Sequence, residues 1–150
     1  MKLNIKNIVV GGVIFYVVQF IIGMATGPLL HEGVLAPYYQ ATSAFWRPEL
    51  MQDPPDMAAL MPRWIGVGLA MALVFAAIFD NIRAAFAGGA VVQGLKFGIV
   101  LGLVFSGAMA GWSGVFNLPD AIWCWWALES FLYFIVGGAA MGWYFGKWGG

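Results

Sequence analysis

The sequence contains 150 residues, of which 62% are apolar and only 9% are charged. An average soluble domain is about 45–50% apolar and about 25% charged, so this chain lacks the polar surface that a water-soluble globule requires. Seven basic residues balance seven acidic ones, and the absence of a basic stretch to follow a phosphate backbone argues against nucleic-acid binding. The composition therefore predicts an integral membrane protein.

Four stretches are long and apolar enough to cross a hydrocarbon core about 30 Å thick, which takes about 20 residues of helix. They predict an all-α protein with a single transmembrane domain, whose spans are at about 8–27, 62–80, 91–112 and 121–146. Within the last span, Trp123 and Trp143 are about 30 Å apart at about 1.5 Å per residue. This separation matches the two aromatic belts of a membrane-spanning helix.

The positions of Lys and Arg indicate the orientation, because cations near the ends of spans are retained on the cytoplasmic side. With the N-terminus inside, the inner cations are Lys2, Lys6, Arg83, Lys96 and Lys147, and the outer ones are Arg47 and Arg63. We therefore expect both termini in the cytoplasm. The apolar run after Lys6 is long for a cleavable signal peptide, so we expect the first span to be retained.

The outer segment 28–61, between the first two spans, is rich in aromatic side chains. Pro37 can begin a helix and Pro48 can end one, and the aromatic residues between them recur at helical spacing. We predict a short helix in the outer membrane interface with its aromatic side towards the lipid. Asp56 is the expected N-cap of the helix that leads through Pro62 into the second span.

Small side chains recur on the later spans, and helices in lipid associate through close packing of such residues. The stripes comprise Gly94, Gly98, Gly102, Ser106 and Ala110 on the third span and Gly138, Gly142 and Gly146 on the fourth. We interpret them as contacts within the bundle or, alternatively, as a face that binds another membrane protein or a second copy of the chain.

Glu129 is the ionisable side chain that is expected deepest in the membrane, where such groups are costly and are functional candidates. It is expected about 9 Å below the outer interface, at the depth of Ser106 on the antiparallel third span. We expect a hydrogen bond between Glu129 and Ser106, with Arg63 or His31 as a charge partner. This group is either a structural link between helices or a proton- or substrate-coupling site.

His31 and Cys124 are the only histidine and cysteine, which limits metal and redox chemistry. We expect no metal ion or cofactor. His31 is expected to bond a backbone carbonyl at the turn after the first span. A pH-responsive role, or a role as a single axial ligand of a chlorin or haem, is the alternative. Lys96 is expected to extend its ammonium group to the inner headgroups.

Four short motifs follow one another from the end of the first span to the third. They are His31-Glu32-Gly33-Val34-Leu35, Tyr39-Gln40-Ala41-Thr42, Phe45-Trp46-Arg47-Pro48 and Gly94-Leu95-Lys96-Phe97-Gly98. In this order they resemble a widespread bacterial family of small four-helix membrane proteins with a His-Gly step, a Tyr-x-Ala-Thr stretch and a Trp-Arg-Pro. The resemblance implies the four-helix architecture, a bacterial inner membrane location, and an outer interfacial motif of Tyr39, Thr42, Trp46 and Arg47. It implies no particular reaction.

Three functions are compatible with these features. An accessory or scaffold subunit of a membrane protein complex accounts best for the surplus of small-residue faces and the scarcity of polar groups in the spans. A small oligomeric transporter or channel for a proton, ion or small solute is the alternative, with Gln19, Ser106 and Glu129 lining its path. A membrane enzyme built around His31 and Arg47 is the third hypothesis.

Overall fold

The computed structural model describes residues 4–149, and that part of the chain contains helices and turns without a β-strand. Its five α-helices are α1 (Ile5–Leu29), α2 (Ala36–Ala41), α3 (Met57–Ile82), α4 (Ala90–Ser113) and α5 (Asp120–Trp148). Four of them, α1, α3, α4 and α5, are long and apolar enough to cross a membrane. The predicted all-α membrane fold with one short extra helix is confirmed. Lys2, one of the cations used to predict orientation, lies outside the described residues.

Helices α4 and α5 are in backbone contact along their glycine faces. A Cβ placed on Gly94 would meet the carbonyl oxygen of Gly138 and would lie 2.8 Å from the Cα of Gly142. A Cβ on Gly98 would meet the carbonyl oxygen of Phe134. Lipid chains are as apolar as leucine, so this close packing, rather than burial of apolar side chains, holds the two helices together. These small-residue stripes are therefore packed within the bundle.

Helix α1 packs against both α3 and α5. A Cβ on Gly12 would lie 3.0 Å from the Cα of Leu73 on α3. On the other side, a Cβ on Gly137 of α5 would lie 3.1 Å from the ring of Phe15. The helices are thus arranged in the order α3, α1, α5, α4.

Phenylalanine rings fill the space between α3 and α4, whose backbones make few close approaches. Phe79 of α3 packs on Phe97 of α4 with ring centroids 5.2 Å apart. Phe75 packs edge-on against Phe105 at 5.8 Å. These rings form the core of the bundle, together with Phe15 of α1.

Hydrogen bonds tie the start of α1 and the end of α3 to the end of α5. Asn7 of α1 is buried, and its side-chain N–H donates to the carbonyl oxygen of Gly149 at 3.1 Å. Arg83, which follows α3, donates to the same carbonyl at 2.9 Å and to that of Phe145 at 3.2 Å. Three spanning helices therefore meet at one terminal turn.

The outer segment differs from the prediction at both of its helical parts. The first span continues past residue 27 to Leu29 and then through a π-helical turn, Leu30–Val34. The interfacial helix was expected to reach Pro48, but α2 ends at Ala41 and is followed by the 3₁₀ turns Ser43–Phe45 and Pro48–Leu50. The N-cap prediction is confirmed, because Asp56 Oδ1 accepts the N–H of Ala59 at 3.1 Å.

Side-chain hydrogen bonds explain why α2 is short. The hydroxyl of Thr42 donates to the carbonyl oxygen of Tyr38 at 2.7 Å. The indole N–H of Trp46 donates to the carbonyl oxygen of Tyr39 at 3.1 Å. The Tyr38 carbonyl also keeps its helical bond from the Thr42 N–H at 3.2 Å. The Tyr39 carbonyl instead accepts the Trp46 indole and a tighter bond from the Thr42 N–H at 3.2 Å, so the helix does not continue past this turn.

The glycine contact predicts a position-dependent cost of adding a single methyl group. Gly98→Ala places a Cβ against the backbone of α5, whereas a Cβ at Gly107, further along α4, would meet nothing within 4 Å. We expect Gly98→Ala to lower the free energy of unfolding in bicelles by about 1–3 kcal/mol, a typical cost of overpacking. The matched control, Gly107→Ala, should leave stability unchanged or slightly higher. Equal stability of the two variants would contradict the close α4–α5 contact.

Candidate functional site

The candidate site begins at the π-helical turn that continues α1, where His31 is located. Such turns widen the helix locally and occur frequently at functional sites. The turn directs the His31 ring towards α5, where Nε2 lies 3.0 Å from Oε2 of Glu129. The His31 side chain is 38% exposed and that of Glu129 only 6%, so the imidazole lies between the carboxyl group and the exterior.

Both oxygens of the Glu129 carboxyl group have hydrogen-bond partners from α1 and its continuation. Oε1 accepts the hydroxyl of Thr26 at 2.5 Å, and Oε2 lies against His31. A buried carboxyl group with an unsatisfied oxygen would be strongly destabilising, so these two partners are what allow Glu129 to be buried in a membrane helix. The same bonds link α5 to α1.

Tyr39 of α2 orients the His31 ring from the other side. Its hydroxyl is 2.7 Å from His31 Nδ1 and accepts the indole N–H of Trp126 at 2.8 Å. No other acceptor for the Tyr39 O–H lies within hydrogen-bond distance among residues 4–149. Every donor is satisfied when Tyr39 donates to Nδ1 and the Nε2–H donates to Glu129. The bonds then run in one direction, from Trp126 through Tyr39 and His31 to Glu129.

The environment of Tyr39 keeps its hydroxyl protonated. Burial raises the pKa of Tyr39 above 10.0, the nearby Glu129 carboxylate raises it further, and the hydrogen bond from Trp126 offsets part of this shift. Because the neutral phenol persists at all ordinary pH values, Tyr39 remains a donor to His31.

The polar network extends inward from the carboxyl group but does not cross the bundle. The hydroxyl of Tyr133 on α5 lies 3.4 Å from the Thr26 hydroxyl, one helical turn below Glu129. The next residue, Phe134, belongs to the phenylalanine core together with Phe15. The arrangement can hold or exchange a proton near one end of the bundle, and it can equally fix α1 and α5 together.

Two predictions about Glu129 and His31 are wrong, and the expected charge partner of Glu129 is one of the two alternatives. Ser106 does not bond Glu129, because its hydroxyl lies 3.4 Å from the carbonyl oxygen of Ala127 instead. Of the two alternatives for the charge partner, His31 contacts Glu129, whereas Arg63 lines a separate cavity with Arg47. His31 is the partner, and it bonds two side chains in place of the expected backbone carbonyl, because the extended helix carries it to α5.

The outer interfacial motif divides into a connected part and a separate arginine. The indole N–H of Trp46 donates to the Thr42 hydroxyl at 3.0 Å, and its ring packs edge-on against Tyr39 at 5.2 Å. The Trp46 ring also packs against Trp126 of α5 at 5.8 Å. Arg47 instead pairs with Glu49 at 2.8 Å on an exposed surface. The first three residues of the motif therefore attach the outer segment to α5.

The predicted small-residue positions lie at the α4–α5 interface. Gly94, Gly98, Gly138 and Gly142 make the backbone contacts described above, and a Cβ on Gly102 would lie 3.0 Å from the ring of Phe131. Ser106 continues this face through its bond to Ala127.

Other participants in the structure were not predicted from the sequence. Tyr133 follows Glu129 by four residues, the spacing that places two side chains on one helical face, and this was an available signal. Gly107 and Gly111 form a G-x-x-x-G pair, a known signal for helix association. Thr26 and Trp126 carried no comparable signal, because their roles depend on how α1 and α5 are rotated.

Similarity to known proteins does not indicate a function for this chain. Searches against protein-family models, curated proteins and solved structures found no match. Among residues 4–149 there is also no group of three or more His, Cys, Asp and Glu side chains arranged to hold a metal ion.

The network predicts that Glu129 is coupled energetically to His31 and not to Ser106. We expect Glu129→Leu to lower the free energy of unfolding by on the order of 1–3 kcal/mol, since the His31 donor loses its acceptor. The Thr26 hydroxyl retains the carbonyl oxygen of Ile22 at 3.1 Å as an acceptor. In a double-mutant cycle, His31→Gln should lower the free energy of unfolding much less in the Glu129→Leu background than in the wild type. Ser106→Ala should change stability by no more than about 0.5 kcal/mol. Additive effects of the His31 and Glu129 changes would contradict the pairing.

Proposed function

We propose that the protein is an accessory subunit of a membrane protein complex and that the outer half of α4 binds a helix of another protein or of a second copy. One observation carries the proposal. A Cβ on Gly107 or Gly111 would meet nothing within 4 Å, whereas the earlier glycines of α4 are covered by α5. A G-x-x-x-G pair that is free of internal contacts allows a second helix backbone to approach closely.

The side chains around this glycine pair support the proposal. Leu103 and Val104 precede Gly107 by four and three residues, so they lie on the same face of α4, and each is 60% exposed. Large apolar side chains beside a pair of glycines interdigitate with the side chains of a neighbouring helix and add contact area.

The charge distribution supports the expected orientation of the subunit in the membrane. We infer that it lies in a bacterial inner membrane with both termini in the cytoplasm. Arg83 after α3, Lys96 near the start of α4 and Lys147 near the end of α5 are all at one end of the bundle. Lys96 donates to the carbonyl oxygen of Ala87 in the connection at that end. This accumulation of cations supports a cytoplasmic assignment, and membership of the bacterial family stays a prediction.

The experiment compares proteins recovered with tagged chains that are expressed at native level and purified in mild detergent. The wild-type chain should recover a discrete membrane partner, or an untagged second copy, in stoichiometric amount. Gly107→Leu and Gly111→Leu should reduce that recovery at least about tenfold, equivalent to about 1.4 kcal/mol of association free energy.

The matched control for these variants is Gly66→Leu. Gly66 is also a membrane-helix glycine without neighbours within 4 Å, but it is on α3. The Gly66→Leu variant should fold and recover the partner as the wild type does. If Gly107→Leu retains full recovery, or if Gly66→Leu loses as much, the α4 face is not the binding surface.

Proton or ion transport is a second candidate, and the carboxyl group of Glu129 favours it. An acidic side chain that is 6% exposed within a membrane helix, and that contacts a partly exposed histidine, is a common arrangement for proton exchange. The phenylalanine core below Tyr133 leaves no polar path through a single copy among the described residues. Transport would therefore require several copies.

The transport hypothesis is tested with the purified protein in liposomes that contain a pH-sensitive dye. A proton flux carried by this site should fall at least about tenfold in Glu129→Gln, which removes the titratable group while retaining its shape. Ser106→Ala is the control and should leave the flux unchanged. A wild-type flux in Glu129→Gln would exclude Glu129 from the path.

A further inference from the structure

A cavity of about 420 Å³ lies at the outer end of α3, apart from the His31–Glu129 network. Its volume is within the range of small-molecule sites, about 300–1,000 Å³. Arg47 comes from the outer segment, which packs on the first turns of α3 through Pro48–Leu50. The other lining residues belong to α3 and are Leu60, Arg63, Trp64, Val67 and Gly68.

The polar and apolar parts of this cavity are separated by depth. Arg63 is near the start of the spanning helix, and Val67 and Gly68 follow it about 6–8 Å deeper at about 1.5 Å per residue. Trp64 and Val67 are 44% and 60% exposed, so the apolar wall faces lipid. The cavity therefore has cations at headgroup level and a hydrocarbon surface beneath them.

The charge at the rim is only partly neutralised by the protein. Arg47 donates to Glu49 at 2.8 Å, and this hydrogen bond lowers the pKa of Glu49 and keeps it anionic. Arg63 makes no hydrogen bond or ion pair with any residue between 4 and 149 that would offset its charge. Among the residues that line the cavity, Arg63 is therefore a cation without a hydrogen-bonded or ion-paired acid.

We propose that this cavity binds an anionic phospholipid, with the phosphate held by Arg63 and by the side of Arg47 that faces away from Glu49. One acyl chain lies along Trp64, Val67 and Gly68. Guanidinium groups bind phosphate oxygens in bidentate geometry. A zwitterionic lipid binds less well, because the positive charge of Arg63 repels its ammonium group. A free phosphate ion lacks the acyl chain that the apolar wall accommodates.

The test measures lipid binding to the purified, delipidated full chain by native mass spectrometry and by thermal shift. The probes are phosphatidylglycerol, phosphatidylcholine and inorganic phosphate. Phosphatidylglycerol should bind as a discrete adduct and raise the melting temperature. Phosphatidylcholine should bind about tenfold more weakly, and inorganic phosphate should have no effect at equal concentration.

Two variants remove different parts of the site. Arg63→Gln removes the free cation, and Val67→Phe fills the apolar wall while leaving both arginines in place. Both positions are exposed, so neither change disturbs helix packing. Each should weaken phosphatidylglycerol binding about tenfold. Lys6→Gln removes one positive charge at the opposite end of the bundle. This variant should bind phosphatidylglycerol as the wild type does.

Several results would overturn the proposal. Wild-type affinity in Arg63→Gln or in Val67→Phe would show that the lipid binds elsewhere. Equal losses in Lys6→Gln and Arg63→Gln would indicate general attraction by net charge. Equal stabilisation by inorganic phosphate would indicate a site for a free anion.

Discussion

The backbone contact between α4 and α5 is the constraint on which the rest of the structure depends. Gly138 and Gly142 must face the glycines of α4, and this requirement fixes the rotation of α5 about its own axis. Glu129 precedes Gly138 by about two and a half helical turns, so it lies on the opposite side of α5 and faces α1. Ala127 is on the α4 side, where Ser106 reaches its carbonyl oxygen. One packing contact thus decides which helix the buried carboxyl group meets.

The polar network depends in turn on the position of α1 beside α5. The π-helical continuation of α1 supplies His31, α2 supplies Tyr39, and α5 supplies Glu129 and Trp126. These groups come from parts of the chain that are distant in sequence, and none of them satisfies its hydrogen bonds alone. The outer segment is therefore attached to the bundle mainly through the environment of a single buried acid.

The architecture could be predicted from the sequence because its signals are local. Apolar length determines the spans, and small residues at four-residue spacing indicate which faces of the third and fourth spans pack closely. Ser106 was expected at the level of Glu129, and it does contact Ala127, two residues before Glu129, but level along the helix alone placed Ser106 and Glu129 together. The rotation of α5 was contained in the glycine spacing and would have separated them. The π-helical turn could not be foreseen, because Pro37 and the aromatic pattern indicated only a later helix, and the extended first helix is what brings His31 to Glu129.

The bonds from Asn7 and Arg83 to the end of α5 bear on the order in which the bundle assembles during synthesis. The first span emerges from the ribosome well before the fourth, yet α5 provides both its inner hydrogen-bond acceptor and the acid that Thr26 and His31 bind. Until the last span is inserted, α1 has α3 as a neighbour but none of these polar partners. The fold is therefore completed only after the last span has been inserted. Until then, lipid or the insertion machinery must surround the first span in the membrane.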